Sequence, residues 1–186
     1  MKTQLTRITI VALFVMITAC SILPKASAVH DFGNPQVNAS IDSDNSTQTA
    51  QITVDAPKWV NDNRLHYRLL YADPTQVRSY ALDRWIAPPP ELLEQLLNNS
   101  GKHWPVSVSI NLQVFEQQFT APNKAKVVIH FSAATTPDDN HHQTARRNFS
   151  LELPCPTADA NGAVTGFNSL TQQVVDKIQS WLANNV

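Results

Sequence analysis

From residue 51 onward, apolar residues recur at every second position in several runs. That spacing turns one face of a strand toward a core and the other toward water. Ile52, Val54 and Ala56 alternate with Thr53 and Asp55 and stop at Pro57. Leu65, Tyr67, Leu69 and Tyr71 form a second run, with His66 and Arg68 between them. Residues 77–82 predict a return strand, because Asp73-Pro74 in the connection is a turn signal. The longest alternation is Val106, Val108, Ile110, Leu112 and Val114 against Ser107, Ser109, Asn111 and Gln113. Ala125, Val127, Ile129, Phe131 and Ala133 repeat it, as do Phe149, Leu151 and Leu153, with a polar hairpin tip over 135–145.

Two segments change period. Pro88, Pro89 and Pro90 suit a helix start, where an amide N–H has no partner to lose. Leu92, Leu93, Leu96 and Leu97 follow at helical spacing, with Glu91 and Glu94 near the positive end and Asn98 to Gly101 as the stop. Near the C-terminus, Phe167, Leu170, Val174, Ile178 and Trp181 or Leu182 form one apolar stripe, and Ser169 with Gln172 fits a capping box at its start. The pattern predicts an α+β single domain over 51–186: an antiparallel or mixed sheet of about six strands with two helices on one face. Residues 38–50 read as a polar linker, so 20–50 is expected to be a tethering segment.

The N-terminus has a different character. Lys2 and Arg7 precede ten almost wholly apolar residues, 8–17, too few for a permanent span. Ile17-Thr18-Ala19-Cys20 then resembles the bacterial lipobox, which implies signal cleavage between Ala19 and Cys20 and a lipid anchor on Cys20. Ala26-Ser27-Ala28 offers a second small-residue site, farther from the apolar core. Ser21 after the anchor, rather than Asp, implies delivery to the periplasmic face of a Gram-negative outer membrane. Several acyl chains at about 0.8 kcal/mol per buried CH₂ make such an anchor stable.

Composition narrows the chemistry. The 186 residues carry a net charge of -1, and loss of Lys2 and Arg7 leaves 12 basic residues against 15 acidic ones, so no basic field exists to hold nucleic acid. With only 4 glycines and no Gly-rich phosphate loop, nucleotide binding is not expected. Cys155, alone once Cys20 is acylated and flanked by Pro154 and Pro156, reads as a structural thiol. Asp138, Asp139, His141 and His142 are metal-capable side chains, and a metal-dependent hydrolase would use them. Adjacent histidines on a hairpin tip do not face one centre, however, and read as a solvated loop. His66 and His130 fall on wet strand faces; Arg146-Arg147 would pair with Glu152 or open a strand. The expectation is a non-enzymatic binding or assembly subunit with no cofactor.

One stretch rises above this background. Tyr80, Arg84, Trp85, Pro88 and Pro89 lie within a rigid aromatic junction between strand and helix. It reads as a core junction with Trp85 under the leucine face, as a partner-docking surface, or as both.

Taken in order, the lipobox, Val29-His30-Asp31-Phe32-Gly33, Ile52-Thr53-Val54-Asp55-Ala56-Pro57, Arg64-Leu65-His66-Tyr67-Arg68, residues 80–89, Phe115-Glu116-Gln117-Gln118-Phe119 and the helical ending resemble the ABC-type transport auxiliary lipoprotein family, which includes PqiC-like lipoproteins. Arg84-Trp85 with Pro88-Pro89 is the most specific part; His30 and Ile86 depart mildly from the family pattern. The resemblance implies an outer-membrane lipoprotein serving an MCE-type system, in which an MCE-domain protein works with an ABC permease and ATPase to move lipids across the envelope. It also implies a possible homo-oligomer. The competing expectation is a stand-alone lipid-binding lipoprotein that holds acyl chains between the sheet and its helices.

Overall fold

The computed structural model describes residues 26–33, 50–136 and 144–184. Ala19 and Cys20, the polar stretch 38–49 and the 138–142 cluster lie outside them. Among the described residues, seven strands form one sheet: β1 (Ala28–His30), β2 (Ile52–Asp55), β3 (Arg64–Leu69), β4 (Asp73–Trp85), β5 (Val108–Ala121), β6 (Lys124–Thr135) and β7 (Arg146–Pro154). Helix α1 (Pro89–Asn98) follows β4, and helix α2 (Ala160–Ala183) closes the fold. The α+β mixed sheet with two helices agrees with the alternation pattern.

Strand β5 organises the sheet. One side pairs antiparallel with β6, which pairs antiparallel with β7. The other side takes two parallel partners in succession: β2 from Val108 to Asn111, then β3 from Gln117 to Phe119. Strand β4 is antiparallel to β3, and β1 is parallel to β4.

Strand β5 outruns its predicted alternation for a physical reason. A bulge at Gln113, between the paired Leu112 and Val114, reverses the phase of the strand. Val108, Ile110 and Leu112 are buried before it; Phe115, Gln117 and Phe119 are buried on the same side after it. Val114, expected on the dry face, therefore turns to the other one.

The sheet also begins earlier than residue 51. Val29 sits opposite Arg84 in β1, and Phe32 is buried against Trp85 with ring centroids 5.2 Å apart. A three-residue strand is too short to show a period in the sequence.

Helix α2 starts well before the stripe that announced it. Asp159 is its cap, accepting the Gly162 N–H at 2.8 Å, whereas Ser169 lies mid-helix and donates to the Thr165 carbonyl. The first turns contain Gly162 and Gly166, which close approach requires. A Cβ on Gly166 would meet a Val127 methyl at 2.9 Å, and one on Gly162 would lie 1.9 Å from the Thr157 carbonyl oxygen.

The interior between sheet and helices is filled by side chains. Phe115 stacks on Phe167 at 4.0 Å, and Leu93, Leu97, Ile110, Ile129, Leu170 and Ile178 are fully buried around them. Acyl chains held between sheet and helices would have to displace this packing. Among the described residues no helix is long and apolar enough to cross a membrane.

Candidate functional site

The aromatic junction divides into an inside and an outside. Trp85 is 1% exposed, ringed nearly edge-on by Phe32, Phe115 and Phe167, and its indole Nε1 has no hydrogen-bond partner among the described residues. Pro89 is buried in the first turn of α1, and Pro88 is half-buried. Arg84 and Ile86 point outward, Ile86 at 64% exposure. Trp85 and Pro89 thus build the inside of the junction, while Arg84 and Ile86 lie on its exposed side.

Tyr80 belongs to a different network. Its hydroxyl donates to Gln117 Oε1 at 2.7 Å, while Gln117 Nε2 donates to the Asp159 carbonyl at 3.1 Å and to Cys155 Sγ at 3.4 Å. Gln117 is fully buried, so this chain of bonds ties β4, β5 and the start of α2 together. Burial, together with the neighbouring Tyr67 phenol, pushes the Tyr80 hydroxyl well above the ordinary tyrosine range. Burial likewise raises the Cys155 thiol, which keeps it protonated and poorly nucleophilic.

The open face of the sheet carries a second feature. Between Asn111 and Gln117, β5 has no strand neighbour on the side where β2 gives way to β3. The connection 56–63 passes this gap, and a groove of about 470 Å³ remains. Its lining includes Trp59, Arg64, His66, Arg68, Val77 and Arg78. Arg64, His66 and Arg68 reach it together because alternate residues of a strand share a face. Val114 and Glu116 reach it because of the bulge.

Its charges are mostly matched. Arg68 Nε donates to both Glu116 oxygens, at 2.8 and 2.9 Å, and Arg68 Nη1 donates to the carbonyls of Pro74 and Thr75. Arg64 binds Asp62 through Nε and Nη2. Burial of the Asp62 carboxyl works against ionisation, but the Arg64 hydrogen bonds outweigh it and hold the group below the usual carboxylate range. His66 lies 3.4 Å from Asp62, yet desolvation dominates and depresses its basicity, so the imidazole is neutral at pH 7. Arg78 bonds only the Gln76 side chain and has no carboxylate within ion-pair distance among the described residues. Trp59 and Val77 leave apolar surface uncovered at the rim, at 68% and 47% exposure.

Sequence reasoning missed this groove. The i, i+2 spacing of Arg64, His66 and Arg68 was visible, but its meaning depends on the bulge and on β5 changing partners. His130 does share the open face, opposite Val114. Glu152 pairs with Lys126 rather than with Arg146 or Arg147, and the Arg147 guanidinium lies over the Phe149 ring.

No family model and no curated protein matches the chain. Among solved structures it is similar to the crystal structure of protein XCC0632 from Xanthomonas campestris, assigned to family model DUF330, with 19% identity and a TM-score of 0.60 over 84% of this chain and 92% of that one. A second crystal structure, of an uncharacterized protein, matches with 14% identity and a TM-score of 0.55 over 83% of this chain and 99% of that one. At these identities the likeness establishes a shared fold.

Proposed function

We propose that this chain is a non-catalytic lipoprotein of the outer membrane that serves an MCE-type ABC transport system moving lipids across the envelope. The observation that carries the reading is the shortness of the tether. Strand β1 starts at Ala28, eight residues after the lipobox Cys20, and eight residues span at most about 29 Å when fully extended. A domain whose sheet begins so close to an acylated cysteine works at the membrane surface. The family resemblance supplies the partners: an MCE-domain protein, with its permease and ATPase, docking on the outward side of the junction at Arg84 and Ile86. Self-association into a homo-oligomer belongs to the same reading.

Two experiments bear on it. Intact-mass analysis with density-gradient fractionation is expected to find an acylated Cys20 in the outer membrane and a soluble periplasmic Cys20→Ala chain. In-cell photocrosslinking from position 84 is expected to trap an MCE-domain protein. An unacylated chain recovered free in the periplasm would overturn the anchor.

A second reading, a stand-alone lipid-binding lipoprotein, is supported by the groove on the open face.

A further inference from the structure

We propose that the β3–β4–β5 groove binds the singly charged anionic headgroup of an amphiphile, with Arg78 as the charge that selects it and Trp59 and Val77 as the surface that receives the start of the chain. The occupant is taken from the lipid-handling reading; the site itself stands on the geometry alone.

Charge complementarity defines the headgroup. Three guanidinium groups line the groove. Glu116 satisfies Arg68 and Asp62 satisfies Arg64, which leaves Arg78 with no carboxylate at ion-pair distance among the described residues; the exposed Asp73 carboxylate acts on it only from farther off, screened by solvent. A monoanion matches the one lining guanidinium that has no carboxylate at ion-pair distance, whereas a dianion exceeds it and a zwitterion adds nothing net. Guanidinium groups favour carboxylate and phosphate oxygens because their N–H donors form a planar fork.

The apolar rim selects an amphiphile over a bare anion. Trp59 is a large indole left 68% exposed in the groove that Val77, 47% exposed, also lines. A volume of about 470 Å³ lies within the range of small-ligand sites, roughly 300–1,000 Å³. An open cleft of that size suits a headgroup and its first methylenes, with the rest of the chain left in a membrane or on a partner.

The molecule carries its own reporter. Of the four tryptophans, Trp85, Trp104 and Trp181 are at most 6% exposed, so a quencher that cannot enter the core reads Trp59. The test titrates the purified protein with chain-brominated lysophosphatidylglycerol below its micelle-forming concentration. Brominated lysophosphatidylcholine and inorganic phosphate are the comparison arms, and calorimetry measures affinity independently. The expected result is saturable quenching by the glycerol lipid, at least tenfold weaker binding of the choline lipid and of phosphate, and a tenfold loss in Arg78→Gln with an unchanged melting temperature. Trp59→Phe is expected to abolish the quenching.

Equal affinity for the two lysolipids, or unaltered binding by Arg78→Gln, would overturn the charge assignment. Phosphate binding as tightly as the lipid would reduce the groove to a simple anion site and overturn the amphiphile. Absence of lipid binding together with loss of a captured protein partner in Arg78→Glu would assign the groove to protein docking instead. None of these results depends on co-purification with a transporter, so failure here is distinguishable from failure of the transport reading.

Discussion

Asn98 imitates a neighbouring strand for Ile52: its Oδ1 accepts the Ile52 N–H at 3.0 Å, and its Nδ2 donates to the Ile52 carbonyl at 2.8 Å. Glu94, one turn earlier on α1, accepts the Val54 N–H at 2.8 Å. Strand β2 is only four residues long and is paired along one edge, so these side chains close its other edge against solvent and foreign strands. Removing both, in Glu94→Ala/Asn98→Ala, is expected to cost about 3 kcal/mol, roughly 1 for each of the three lost hydrogen bonds, and to increase self-association. Urea unfolding and light scattering check the two effects separately.

Gly166 sits where α2 packs closely on Val127 of β6. Alanine there gains about 1 kcal/mol of helix propensity but drives its methyl into Val127. Overpacking of this kind typically costs about 1–3 kcal/mol, so Gly166→Ala is expected to be net destabilising. The double variant Gly166→Ala/Val127→Ala is expected to be more stable than the sum of the single effects predicts. Strict additivity in a double-mutant cycle would show that the close approach is not felt.

The ion pair between Arg68 and Glu116 joins β3 to β5, with the carboxylate largely buried. Glu116→Ala leaves a guanidinium facing an unfilled site and is expected to cost about 2 kcal/mol in urea unfolding. Arg68→Met combined with Glu116→Leu is expected to recover much of that loss, because an apolar pair of similar volume avoids desolvating charges.

Trp85 tests the division of the aromatic junction. Trp85→Ala empties a fully enclosed site and is expected to lose about 3–5 kcal/mol. Arg84→Ala, on the exposed side, is expected to leave the melting temperature unchanged while weakening partner capture. A folded Trp85→Ala chain that alone lost its partner would reverse the assignment of inside and outside.

How far the sequence carried the fold can be judged at particular residues. The alternations at 52–56, 125–133 and 149–153 gave their strands because one face of each is dry, and Leu92 to Leu97 gave α1 for the same reason; the run at 65–71 gave β3, but the strand ends at Leu69 and Tyr71 is exposed. The start of α2 lies well before the expected one because Ser169 and Gln172 imitate a capping box from inside the helix, whereas Asp159 is the cap. The second half of β5 was hidden by the bulge at Gln113, which cancels a period-two pattern read straight through. Strand β1 was too short to have a pattern at all. The groove depends on β5 exchanging β2 for β3, a tertiary fact that no local spacing encodes. In the junction, the residue types were legible, but whether Trp85 faced in or out was not, because indole suits both a core and an interface.

His66 makes stability depend on pH in a defined direction. Desolvation among Asp62, Arg64, Arg68 and Glu116 holds its folded-state pKa below that of the unfolded chain, with the Asp62 charge opposing only in part. The unfolded state therefore takes up the proton first as pH falls through about 6.5, and stability is lost from there downward. His66→Gln is expected to lose less melting temperature than the parent between pH 7.5 and pH 5.5. An equal or larger loss in the variant would show that His66 does not set this dependence.

The central claim is that the anchored domain belongs to an envelope transport complex. The most direct measurement is a mild-detergent pull-down of the tagged, acylated chain from membranes, with co-purifying proteins identified by mass spectrometry. The account predicts recovery of an MCE-domain protein together with an ABC permease and its ATPase, reduced when Arg84 is replaced. Recovery of the acylated lipoprotein with no transport component, under conditions that preserve other envelope complexes, would contradict it.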